Sequence, residues 1–210
     1  MKSIRKIIFG EIYVINRDAD VQRMMKISKR LAEINITFRR FSAKCFISKG
    51  NHKSAGMRGL NASHLAIVAE AKNRNFESVL IIEDDAIFRP NFIELWEKIQ
   101  SELIDLKYDI FYGYNWANCG NNAKDIKITR IQHTLCTHFW AIRACFYEKF
   151  IAITESNETI NLSRAIDQLF TSTVARIYAP TYNLVGQDAG ISTVTEGSHL
   201  GVRWHYGRGL

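Results

Sequence analysis

The sequence predicts an α/β fold around a mainly parallel sheet, and three observations predict it. Short apolar runs alternate along the chain with stretches of helical periodicity. The run Ser78 to Ile82 is apolar throughout its Val-Leu-Ile-Ile core, as in a strand covered on both faces. Only two prolines, Pro90 and Pro180, occur in 210 residues, and no Gly/Ser-rich or single-charge run divides them, so one domain is expected over Met1 to Leu210.

The elements follow in order. Glu11 to Asn16 is a β-rich apolar run, and from Asp20 the residues Val21, Met24, Ile27, Leu31 and Ile34 repeat at helical spacing. Ile36 to Phe41 reads as the next strand and Ser42 to Met57 as a loop. A helix is expected over Asn61 to Asn73, with Asn61 or Ser63 as N-cap. The Ser78 to Ile82 strand ends in Glu83, Asp84 and Asp85; Pro90 then opens an amphipathic helix carrying Phe92, Leu95, Trp96, Ile99 and Leu103. Tyr108 to Tyr112, Ile126 to Ile131, His138 to Ile142 and Val174 to Tyr178 read as further strands, Ala144 to Ile153 and Leu162 to Ser172 as helices. Beyond Thr181 the chain is glycine-rich and irregular, and Asn183 to Leu210 is expected to form a flexible flap over the site.

Lys and Arg exceed Asp and Glu by 28 − 21 = 7, which suits a polyanionic partner or merely a solvated basic surface. No apolar run approaches the roughly 20 residues a membrane span needs, so a soluble, cytoplasmic protein is expected. The four cysteines, Cys45, Cys119, Cys136 and Cys145, lack zinc spacing and read as reduced, mostly buried thiols.

Three adjacent carboxylates at the end of a buried strand repel one another unless a cation or donors compensate. Strand alternation puts Glu83 and Asp85 on one side and Asp84 on the other. Mg²⁺ or Mn²⁺ would accept such oxygens and keep positions open for phosphate; pairing with nearby Arg and Lys would equally neutralise them.

The segments Tyr13 to Arg17, Gly59 to His64, Val79 to Ala86, Thr137 to Arg143 and Ala179 to Gln187, in that order, resemble glycosyltransferase family twenty-five, the lipopolysaccharide-biosynthesis type. The Glu-Asp-Asp block and the Ser63-His64 pair some twenty residues before it are the specific parts. The resemblance implies a GT-A-like, Rossmann-type nucleotide-sugar-binding domain and an inverting hexosyl- or pentosyltransferase using a UDP-sugar and Mn²⁺ or Mg²⁺. It makes Asp85 the direct metal ligand, with Glu83 as a second ligand or near the ribose, and His205 or His199 as a late nitrogen ligand. Donor binding would fall to Tyr13, Asn16, Arg17, Arg23, Arg58, Asn61, Ser63, His64, Glu83, Asp84 and Gln187. Asp167 is the first candidate for the base that takes the acceptor's proton, and His138 the second.

Two acceptors fit this reading: a surface glycan of the lipopolysaccharide type, or a modified base of viral DNA, which would put the enzyme in a host cytoplasm. Trp116, Trp140 and Trp204 could stack on either. An inactive nucleotide-binding scaffold is the alternative from another class. Oligomeric state and donor sugar are not written in the sequence.

Overall fold

The computed structural model describes residues 9–46, 52–115, 123–134, 137–160, 166–188, 190–191 and 198–199. β1 (Glu11–Asn16), α1 (Val21–Glu33), β2 (Arg39–Ser42), α2 (His52–Asn73) and β3 (Ser78–Glu83) form the first half. β4 (Ala86–Phe88), α3 (Phe92–Asp105), β5 (Ile110–Tyr112), β6 (Ile128–Arg130), β7 (Phe139–Arg143) and α4 (Ala144–Ile160) follow. α5 (Ile166–Leu169), β8 (Ile177–Pro180), β9 (Val185–Gln187), β10 (Gly190–Ile191) and β11 (Ser198–His199) complete the described chain.

Seven strands make the central sheet in the order β2-β1-β3-β7-β5-β8-β6. β1, β2 and β3 run parallel, as do β5 and β8, while β7 is antiparallel to both its neighbours and β6 to β8. Five of the seven strands thus share a direction, and the expectation of a mainly parallel sheet holds apart from β7 and β6. Two of these helices cover each side. Ile27 and Leu31 of α1 and Phe92, Leu95, Trp96 and Ile99 of α3 pack with Val14, Leu80 and Ile82 on one face. Ile67, Val68 and Ala71 of α2 and Phe146, Tyr147 and Phe150 of α4 pack with Ile15, Val79, Ile81 and Trp140 on the other. The continuous apolar run of β3 exists because both its faces are covered: Val79 to Ile82 are all at 0% exposure.

Local chemistry sets where the helices stop. Asn35 and Asn75 take positive φ (53° and 56°), a conformation asparagine tolerates better than most residues. Around them Ile36 N–H reaches Leu31 O and Asn35 N–H reaches Ala32 O; Phe76 and Asn75 repeat the pattern on Ala71 and Lys72. Each motif turns the chain sharply back toward the sheet, into β2 and β3.

Several boundaries differ from expectation. α2 begins at His52, inside the expected loop, so Ser63 and Asn61 are interior helix positions rather than caps. Ser63 Oγ bonds back to Gly59 O (2.6 Å) and accepts Lys44 N–H (2.8 Å), tying the stretch after β2 to the helix. β8 starts three residues later than expected because Val174 and Ala175 N–H groups both turn back to Thr171 O. Cys45 and Cys145 are exposed, contrary to the expectation of buried thiols; Cys119 and Cys136 lie outside the described residues. No helix among the described residues is long and apolar enough to cross a membrane.

Candidate active site

The parallel strands β1 and β3 end side by side, bringing Asn16 to the three carboxylates. Strand geometry stops at Glu83, and Asp84 and Asp85 form a turn, so the expected alternation does not continue through the triplet. Asp84 and Asp85 instead converge on one cation. Arg23 Nη2, from α1, is 2.7 Å from Asp84 Oδ1 and 2.8 Å from Asp85 Oδ2. Asn16 Nδ2 donates to Asp84 Oδ2 at 2.7 Å, and Asn16 Oδ1 accepts from Arg40 Nε and Nη2. Asn16, expected to bind the donor, therefore holds Asp84 through Nδ2, which also donates to Asp20 O, while Arg40 anchors its Oδ1.

β9 closes the other side. It pairs antiparallel with β4, setting Ala86 opposite Gln187. Gln187 Nε2 donates to Asp85 Oδ2 (2.9 Å), Asp188 N–H donates to Asp85 O (2.7 Å), and Arg30 bridges Asp188 Oδ2 (2.6 Å) and Ala86 O (3.1 Å). Leu184 and Val185 are fully buried. The first residues of the expected flap, 183 to 188, are thus part of the body, because an apolar pair and a sheet ladder anchor them. Gln187, expected to bind the donor, contacts Asp85, and Arg30 and Asp188, which the sequence did not single out, complete this side.

Asp85 Oδ1 is buried without a hydrogen-bond partner. Burial, then the adjacent Glu83 charge, push the Asp85 carboxyl up to about 7 against the pull of Arg23 and Gln187. Asp84 is raised as well, by burial foremost, with Arg23 and Asn16 opposing.

Glu83 turns to the opposite face, toward α2. Its Oε1 accepts from Thr137 Oγ1 at 2.5 Å and lies 3.6 Å from His64 Nε2, while its N–H donates to His138 O. His64 Nδ1 accepts from Trp140 Nε1 at 3.1 Å. Burial acts to raise Glu83, but His64, Thr137 and His138 together hold it below the ordinary carboxylate value. His138 is buried (1% exposed) beside the Tyr114 ring with neither ring nitrogen hydrogen-bonded, and desolvation drives it down to about 4, against Glu83. A buried imidazole this weakly basic is poorly suited to collect a proton.

The remaining candidates scatter. Tyr13 is buried in the α2-side core, three positions before the end of β1. Arg17 pairs with Asp20 (3.2 Å), and Arg58 lies over the Phe46 ring (4.7 Å). Asn61, buried on α2, is one turn from His64 on the same face. Asp167 belongs to α5, but its side chain lies outside the described residues, as do the side chain of His199 in β11 and all of His205.

Among the described residues no group of three or more His, Cys, Asp and Glu is arranged to hold a metal ion. The orphaned Asp85 Oδ1 is the atom of this set that would be available to a divalent cation, which would need most of its remaining ligands from substrate and water.

Protonation gives one test of this geometry. Asp85 holds its proton more tightly in the folded state, so its contribution to stability is complete below the ordinary value of 3.8 and is lost as pH rises through about 7. His138 works the other way: its contribution is complete above 6.5 and lost as pH falls toward about 4. In metal-free buffer, the Tm advantage of Asp85→Asn over wild type should therefore grow between pH 4 and 7 and level off above. A difference independent of pH by calorimetry would contradict the buried, crowded setting of Asp85.

The sequence pattern of glycosyltransferase family 25 (LPS biosynthesis protein) matches residues 9–157. No curated protein matches the chain. Among solved structures, a glycosyltransferase involved in the glycosylation of the major capsid of PBCV-1 is similar at TM-score 0.41 and 12% identity, covering 71% of this chain and 67% of that one. The glycosyltransferase GlyE of Streptococcus pneumoniae TIGR4 is similar at TM-score 0.45 and 9% identity; 81% of this chain is covered, but only 44% of GlyE. The family pattern spans well over half of the sequence, from two residues before β1 through most of α4, and on that match this chain belongs to glycosyltransferase family 25 and is a glycosyltransferase.

Proposed function

We propose that the chain is a metal-dependent, inverting glycosyltransferase of GT-A type that moves a sugar from a UDP-sugar to a hydroxyl of a glycan acceptor. The observation that carries this reading is the buried, unpartnered Asp85 Oδ1 at the carboxyl end of β3, where ligands of open α/β sheets bind. Mn²⁺ or Mg²⁺ at Asp85 would draw off the charge that develops on the departing diphosphate. Around it Arg23 supplies a positive group from α1, Asn16 fixes Asp84, and Gln187 and Asp188 hold Asp85 from β9. Glu83, with 20% of its side chain exposed, takes a hydroxyl of the bound nucleotide sugar. Beyond 188 the expected flap, apart from the backbone of Gly190–Ile191 and Ser198–His199, lies outside the described residues.

The proton of the acceptor hydroxyl goes to Asp167 in this scheme, since His138 is held neutral and enclosed. Asp167→Asn should leave UDP-sugar affinity in place and cut turnover by roughly a hundredfold. Unchanged turnover would remove Asp167 from the chemistry. The anomeric configuration of the product, read by NMR, tests inversion.

The net charge of +7 supports a second acceptor, a modified base of DNA. A steep loss of DNA affinity with salt, together with sugar transfer to that DNA, would decide for it over the glycan.

A further inference from the structure

A second set of buried polar groups lies behind Glu83, and its order of hydrogen bonds fixes a direction. Trp140 Nε1 carries a hydrogen and can only donate. Its partner at 3.1 Å is His64 Nδ1, which must therefore be the bare nitrogen of a neutral imidazole, and the single ring proton resides on Nε2. That nitrogen faces Glu83 Oε1 at 3.6 Å, longer than a direct hydrogen bond but close enough for the N–H dipole to act on the carboxylate. Among the described residues His64 Nε2 has no hydrogen-bond partner, and neither ring is open to solvent. His64 is 0% exposed and Trp140 is 1% exposed. The indole is held in plane by Tyr112 (6.1 Å, 25°) and Phe150 (5.5 Å, 29°), and Phe150 by Phe170 (4.8 Å, 11°).

Thr137 meets the same Glu83 oxygen from the other side at 2.5 Å, while the Glu83 N–H is fixed on His138 O. Glu83 Oε1 thus accepts from Thr137 on the approach to β7 and faces His64 Nε2 on α2.

We propose that Trp140 and His64 are positioning residues for Glu83: the indole N–H selects the imidazole tautomer, and the imidazole Nε2–H, with the Thr137 hydroxyl, orients the carboxylate for a hydroxyl of the bound sugar nucleotide. This rests on the reading of Glu83 as part of the transfer site, although the tautomer itself does not. Packing alone would explain why His64 and Trp140 are apolar-surrounded and buried. It would not require the donor-to-acceptor order, and it would be satisfied by phenylalanine at position 140.

The test uses the full-length protein labelled with ¹⁵N-histidine, together with steady-state UDP-sugar turnover in the presence of Mn²⁺. Wild type should show His64 as the Nε2–H tautomer, and Trp140→Phe, which keeps the aromatic stack, should lose that fixed state. Its kcat should fall roughly tenfold or more with KM nearly unchanged, the scale of losing an outer-shell partner. Adding Trp140→Phe to Glu83→Gln should cost nothing further. Should Trp140→Phe fail to fold, the pair His64→Gln and His64→Leu decides: the carboxamide can accept from the indole and donate to Glu83, so it should retain most turnover, whereas leucine should lose as much as Glu83→Gln. A His64 proton on Nδ1 in wild type, an equal cost of Trp140→Phe with and without Glu83, or equal turnover of the two His64 variants would overturn the inference. Full turnover of Glu83→Gln would instead remove Glu83 from the transfer site, and the tautomer measurement would still decide what Trp140 does to His64.

Discussion

Asp85→Ala is expected to lower UDP-sugar turnover by about 100- to 1000-fold, the range for removing a group that stabilises charge developing in the transition state. The change deletes both the unpartnered Oδ1 and the oxygen shared by Arg23 and Gln187. It also relieves a crowded carboxylate, so the fold should be no less stable, and the loss will be one of chemistry and metal-dependent binding. Asp84→Ala should behave differently. Asp84 is engaged by Arg23 and Asn16 on both oxygens, so its removal frees Arg23 and Asn16 without taking away the orphaned ligand atom. Steady-state kinetics on the two folded variants separates the roles, and equal turnover of Asp85→Ala and wild type would end the assignment.

The largest effect on stability is expected at Phe150. Its ring is at 0% exposure, stacked on Trp140 at 5.5 Å and on Phe170 at 4.8 Å, and it joins α4 to the sheet directly behind the His64 and Glu83 pair. Phe150→Ala removes a fully buried ring and leaves a cavity, which costs about 3–5 kcal/mol. Total stabilities run about 5–15 kcal/mol, so this is a large fraction, and for a chain of this size Tm should drop by roughly 6–20 °C. Trp140 would lose one of its two flanking rings, so turnover measured well below the new Tm should fall too. A Tm change under about 2 °C in a calorimeter would show that the site is far less tightly packed.

What the sequence made legible follows from the range of the interactions involved. β1, α1, β3 and α3 could be read because their burial is written locally, as apolar continuity in β3 and as helical spacing of Val21, Met24, Ile27 and Leu31 in α1. β4 and β9 could not. They are three residues each, and Val185–Gly186–Gln187 carries no strand pattern until it meets Ala86–Phe88 about 100 positions earlier. The same holds in the site. Asp84, Asp85, Asn16, Arg23 and Gln187 were named from the chain, and the fold brings them together, with Glu83 on the opposite face. Arg30 with Asp188, 158 positions apart, and Thr137 with Glu83 are purely tertiary. The side-by-side reading of Glu83 and Asp85 failed for a local reason: the strand ends at Glu83, and the following turn aims Asp85 at Arg23 while Glu83 stays on the His64 face. β7 was read as a strand but its direction was not, because periodicity records burial and not polarity of the chain.

The most direct test of the central claim, a nucleotide-sugar site built on Asp85, is calorimetric titration of UDP into the wild-type protein with Mn²⁺ and again with the metal chelated. Binding should be present with Mn²⁺ and at least about tenfold weaker without it, because phosphate charge beside Asp84 and Asp85 then lacks its bridging cation. Equal UDP affinity in the two buffers, or none in either, would contradict the account.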